Sequence, residues 1–122
     1  MSRHSLKTAT TYPTVVGAVI AQLRKEKGIK QGEFAARMKI GQSTWSRIEQ
    51  GTSSLSIEQL VKAAEYLEIA PSKIVAKVDE TVQRLRANGV QVANERVVTG
   101  NTGLLLIGAA AIAAIIIAAS KK

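Results

Sequence analysis

Between Thr14 and Gly51 a helical rhythm of apolar residues is cut at short intervals by glycine, and that punctuation limits this stretch to a series of short helices. Val15, Val16, Val19, Ile20 and Leu23 recur at three- and four-residue steps, the spacing that lines one face of a helix. Lys25 and Lys27 fall in its last turn, where cations suit the helix dipole, and Gly28 supplies the stop. A second helix is expected from about Gln31 to Lys39, burying Phe34, Ala35 and Met38. Gly41 marks a tight turn. A third helix is expected from about Ser43 to Gln50, with Trp45 and Ile48 inward and Gly51 at its end. Ser56 and Gln59 form a capping box for a fourth helix reaching about Leu67, which buries Ile57, Leu60, Val61, Ala64 and Leu67. Pro71 opens a short fifth helix through Ile74 and Val75.

The flanks are different in kind. Residues 1–13 are polar, rich in Ser and Thr, and carry Arg3, His4 and Lys7, so they read as a flexible basic arm. Residues 77–101 read as a connector. Asp79 can cap a new helix containing Val82 and Leu85, or the fifth helix can continue, since Ile74, Val78, Val82 and Leu85 share one face. Val90-Gln91-Val92 alternates like a short strand, and Thr99 to Gly103 reads as a linker. From Val97 to Ser120 there is no charged residue, and Leu104 to Ala119 holds only Leu, Ile, Ala and one Gly. A membrane-spanning helix needs roughly 20 apolar residues, and a soluble core helix normally keeps a polar stripe. Residues 102–120 are therefore expected to span a membrane, with Lys121-Lys122 as a basic tail. The positive-inside bias then puts the N-terminal domain in the cytoplasm of a bacterial cell, at the inner membrane.

Charge narrows the partners. Net charge is +8. Residues 1–50 hold nine Lys or Arg against three acids, whereas residues 51–96 hold six of each. A basic half-domain attracts a polyanion, either DNA or an anionic lipid surface. The chain lacks cysteine and has one histidine, His4, so disulfides, thiolate metal sites and a structural metal centre are excluded, and no cofactor is expected. Only 3% of residues are aromatic, too few for a single-strand stacking platform. Glu65, Glu68, Asp79 and Glu80 read as a solvated face. No nucleophile–base set or phosphate loop is present, so an enzyme is not expected.

The informative unit is two short helices joined at Ile40-Gly41-Gln42, the core of a helix-turn-helix. In that geometry the second helix lies in the major groove and its N-terminal residues meet base edges. Gln42, Ser43, Thr44, Ser46 and Arg47 face outward there. Gln pairs bidentately with adenine, Arg with guanine, and Ser or Thr with either.

Residues 15–74 resemble the Cro/C1-type helix-turn-helix family, also called the xenobiotic-response-element family of regulators. The stretches that carry the resemblance are LRKEKGIKQGEFAARMKIGQSTWSRIEQG at 23–51 and the following SSLSIEQLVKAAEYLEI. It implies an all-α, five-helix domain over residues 14–76 that binds double-stranded DNA. It further implies that Gln31, opening the second helix, contacts backbone phosphate. Gln42, Ser43 and Thr44 lead the recognition helix, with Ser46 and Arg47 further along, and Arg24 pairs with Glu49. The chain departs from the family at Trp45, where a smaller aliphatic residue is usual, and at Gly32, where a better helix former is typical. An apolar C-terminal run is also unusual in the family.

Together these readings predict a membrane-anchored, sequence-specific regulator that acts as a homodimer or higher homo-oligomer, since one such domain reads only a half-site. The alternative is a membrane-anchored adaptor or self-assembling protein whose helix-turn-helix domain docks a protein partner. Polar Gln42, Ser43 and Thr44 favour DNA over that reading.

Overall fold

The computed structural model describes residues 7–95 and 104–120. Arg3, His4, the Thr99 to Gly103 linker and the Lys121-Lys122 tail lie outside the described residues. The elements run β1 (Lys7–Thr11), α1 (Tyr12–Glu26), α2 (Gln31–Met38), α3 (Gln42–Gln50), α4 (Ile57–Leu67), α5 (Pro71–Ala87), β2 (Gln91–Ala93), β3 (Leu104–Leu106) and α6 (Ala109–Ser120).

Helix α1 begins at Tyr12, two residues before Thr14, because Thr11 caps it. The Thr11 Oγ1 accepts from the Thr14 backbone N–H at 3.3 Å, and Pro13 sits in the first turn. Gly17 on α1 lets the end of α3 approach closely, since a Cβ there would lie 2.3 Å from the Ile48 carbonyl oxygen. The turn between α2 and α3 differs from the expectation for Gly41. The left-handed residue is Lys39 (φ 59°), while Gly41 is extended (φ −60°, ψ 147°) and serves as the N-cap of α3. Helix α4 carries the Ser56–Gln59 capping box with both bonds formed, at 3.0 and 2.8 Å. Helix α5 continues unbroken through Asp79, burying Ile74, Val78, Val82 and Leu85 along one face.

The core joins α1 to α5. Trp45 and Phe34 are fully buried with ring centroids 5.2 Å apart, and Tyr66 meets Phe34 edge-on at 6.2 Å. Ile57 and Val61, expected inside, are exposed, as is Val75.

Two expectations for the flanks are corrected. First, the fold is mostly helical but not all-α. Residues 7–11, read as part of a flexible arm, form the central strand of a parallel sheet ordered β2-β1-β3. Ala9 pairs with Gln91 and Leu106, and Thr10 pairs with Val92. Threonine suits a pleated strand, and Thr10 and Thr11 are buried. Their partners lie at the far end of the chain, where local pattern does not reveal them.

Second, residues 102–120 do not form one spanning helix. Leu104–Leu106 is strand, Gly108 follows the break, and α6 has only 12 residues. At a rise of about 1.5 Å per residue that is about 18 Å, against about 30 Å of bilayer core. Among the described residues no helix is long and apolar enough to cross a membrane. The main chain before α6 is committed to the sheet instead. The Ile107 N–H donates to the Ala9 carbonyl at 2.8 Å, and Thr10 Oγ1 donates to the Ile107 carbonyl at 3.0 Å. Helix α6 then lies against α1 with Ile112 fully buried.

Candidate nucleic-acid interface

Helix α3 is amphipathic over only nine residues, and that shortness decides what it shows. Trp45, Ile48 and Glu49 face inward and are buried, while Gln42, Ser43, Thr44 and Arg47 are exposed. The first turn of α3 thus forms a polar edge open to solvent. Ser46 lies to the side, half-buried, and accepts from Gln50 Nε2 at 3.3 Å. Arg47 leans back along the helix, with Nη1 donating to the Ser43 carbonyl at 3.3 Å.

Beneath that edge is a buried polar knot. Arg24 Nε and Nη2 donate to the two oxygens of Glu49 at 2.7 and 3.0 Å, a bidentate pair in which both side chains are almost wholly covered. Arg24 Nη1 also donates to the Ile29 carbonyl at 2.7 Å, tying down the loop before α2. Gln31 Nε2 donates to Glu49 Oε1 at 2.9 Å. The Trp45 indole N–H donates to Glu49 Oε2 at 2.7 Å. A buried charge is tolerated only when paired and hydrogen-bonded, and four donors meet that demand here.

The knot reaches the surface through Gln31. A carboxylate oxygen only accepts, so Gln31 turns its NH2 toward Glu49 and its Oε1 outward. Gln42 Nε2 donates to that Oε1 at 3.4 Å, a long bond and the weakest link of the chain. Gln31, at the first position of α2, is therefore half-buried and engaged on both sides.

Two features are not in the sequence reading. One is the Trp45–Glu49 bond. The i, i+4 spacing puts both on one face of α3, and that spacing was the available signal. The other is the state of the helix starts. Neither α2 nor α3 has a side-chain cap, whereas Thr11 and Ser56 cap α1 and α4. Exposed Lys30 stands at the start of α2. Uncapped helix N-termini leave backbone N–H groups available to an anion.

The helix-turn-helix family model matches residues 20–74. The uncharacterized HTH-type transcriptional regulator y4dJ of Sinorhizobium fredii is 34% identical over 67 residues, covering 55% of this chain and 87% of that protein. The chain belongs to the helix-turn-helix family. Among solved structures, the clp gene regulator ClgR from Corynebacterium glutamicum superposes with a TM-score of 0.61 at 19% identity, covering 63% of this chain and 82% of that one. A point mutant of the restriction–modification controller protein C.Esp1396I gives 0.56 at 23% identity, covering 60% and 95%. At these identities the likeness is one of fold.

Proposed function

We propose that this protein is a transcriptional regulator that places α3 in the major groove of double-stranded DNA and reads sequence with Gln42, Ser43, Thr44 and Arg47. The observation that carries this reading is the open polar edge of α3 directly above a rigid, fully bonded base. With one N–H held by Gln31, Gln42 keeps a second N–H and its Oε1 for a base edge, the donor–acceptor pair that adenine matches. Ser46 and Gln31 act mainly through neighbours, and the uncapped starts of α2 and α3 take backbone phosphate, with Lys30 adding charge. The family relative named as a transcriptional regulator supports the same reading.

Binding uses two copies. Ile57, Val61 and Val75 are exposed, and Ile57 and Val75 border an apolar cleft of about 280 Å³ that also includes Tyr12, Val16 and Leu60. A second copy covering this patch sets two α3 helices side by side for two half-sites.

The test is selection from a randomised duplex pool with the full chain, followed by gel shifts on the enriched site. Gln42→Ala is expected to cut discrimination against a mismatched site by about 5- to 150-fold, the worth of one good bidentate pair at about 1–3 kcal/mol. The slope of affinity against salt is expected to stay the same, because phosphate contacts are untouched. A Gln42→Ala protein with full sequence preference overturns the reading.

A further inference from the structure

Trp45 stands at the inner end of the hydrogen-bond chain that leads through Glu49 and Gln31 to Gln42, and Gly32 stands beside its outer end. We propose that both are positioning residues that set the pose of the Gln42 amide, and so help determine which base it reads. This rests on the reading of α3 as the DNA-contacting helix.

The argument at Gly32 is steric. A Cβ built on Gly32 lies 3.0 Å from Gln42 Oε1 and 3.4 Å from its Cδ. The Gln42 amide thus rests in the room that a side chain at position 32 would take. The three atoms nearest to that Cβ all belong to Gln42, the third being Nε2 at 3.8 Å. Glycine weakens a helix, yet here it stands in the first turn of an eight-residue one. The closest approach it avoids is with a flexible side-chain tip, so a Cβ here costs the fold little and displaces Gln42 first.

The argument at Trp45 is one of bond polarity. Glu49 Oε2 accepts from Arg24 Nε and Trp45 Nε1, both at 2.7 Å, and Oε1 accepts from Arg24 Nη2 and Gln31 Nε2 at 3.0 and 2.9 Å. With each oxygen doubly engaged the carboxylate has one orientation. Gln31 then has one orientation, with Oε1 toward α3, and Gln42 is offered an acceptor and never a donor. A smaller aliphatic residue at position 45 has no N–H, and leaves Oε2 with one donor fewer.

The experiment uses the full chain and two readouts on Gly32→Ala, Gly32→Leu and Trp45→Phe. The first is the side-chain NH2 signals of Gln31 and Gln42 by 15N NMR, assigned with Gln42→Ala. The second is the ratio of affinities for the selected duplex and a shuffled duplex of the same composition. Gly32→Ala is expected to raise the urea midpoint, because alanine favours helix, and to shift the Gln42 NH2 signals. It is expected to lower the affinity ratio by roughly tenfold, part of what one bidentate pair supplies. Affinity for the shuffled duplex stays within about twofold, since charge is unchanged. Gly32→Leu goes further in the same direction. Trp45→Phe shifts both glutamine signals, with a smaller fall in ratio.

A purely local helix effect raises stability and moves neither the Gln42 signals nor the ratio, and that result overturns the proposal. Should Trp45→Phe fail to fold, Gly32→Ala carries the test alone. If the wild-type chain enriches no duplex, the DNA reading fails separately. The NH2 signals then decide the positioning claim: a shift in Gly32→Ala upholds it and an unshifted signal overturns it.

Discussion

Around Glu49 four donors meet one carboxylate within 3.0 Å, inside a core closed by Trp45 and Phe34. Where α6 lies on α1 the contact is of another kind. From Ala109 to Ala119 the helix offers only alanine and isoleucine side chains. Ile115 and Ile116 border a cleft of about 210 Å³ shared with Gln22, Glu26, Lys77, Glu80 and Arg84. The main chain of β1 and β3 and the Thr10 hydroxyl supply directional bonds just upstream of α6. Directional polar bonds admit one pose, whereas apolar burial rewards any pose that covers the same area. The ground beneath the polar edge of α3 is built mainly the first way, and the packing of α6 on α1 mainly the second.

Arg24→Ala is the hardest blow to that contrast. It leaves Glu49 buried without its charge partner and frees the Ile29 carbonyl. Breaking one side of a buried pair costs about 3–5 kcal/mol, a large part of the roughly 5–15 kcal/mol that holds a typical domain. Urea unfolding of the full chain is expected to show that loss, and a loss below about 1 kcal/mol breaks the comparison on the polar side. Ile112→Ala tests the other side. Ile112, on α6, is fully buried, and Ile→Ala costs range over about 2–5 kcal/mol. The open, partly charged seam nearby can relax around the gap, so a value near the low end, about 2 kcal/mol, is expected. Equal losses for Ile112→Ala and Arg24→Ala show that the appendage is as tightly specified as the motif.

The same contrast explains what was legible in the residues. Helices α1 to α4 are written in local rhythm and caps, and their bounds follow from Gly28, Gly51, Ser56 and the apolar steps between them. The Arg24–Glu49 pair is carried by the family resemblance, because its partners are far apart in sequence. The reach of α5 was open, since Asp79 suits a cap as well as an exposed helical position, and only burial of Val78 and Val82 along one face selects continuity. Lys39 takes the left-handed turn that Gly41 advertised, because the turn is closed by Ile40 N–H bonding back to the Ala35 carbonyl at 3.0 Å. Strands β1 and β3 were not legible at all. Each needs a partner from the opposite end of the chain, and an unbroken apolar composition over Leu104 to Ala119 carries no mark of where strand gives way to helix. Gly32 reads only as a poor helix former until Gln42 is seen beside it.

The smallest expected effect separates burial from charge. Lys27 and Glu68 join the ends of α1 and α4 through a 3.2 Å ion pair, a separation not much longer than those of Arg24 and Glu49. Their side chains are 43% and 79% exposed. In water both ends are well solvated apart, the long lysine gives up rotamer freedom to hold the contact, and salt screens what remains. Lys27→Ala is therefore expected to change stability by less than about 0.5 kcal/mol, with the urea midpoint equally insensitive to added salt in both proteins. A loss of several kcal/mol there would mean that pairing alone, without burial, holds the motif together. The Glu49 knot would then differ from the surface pair only in degree.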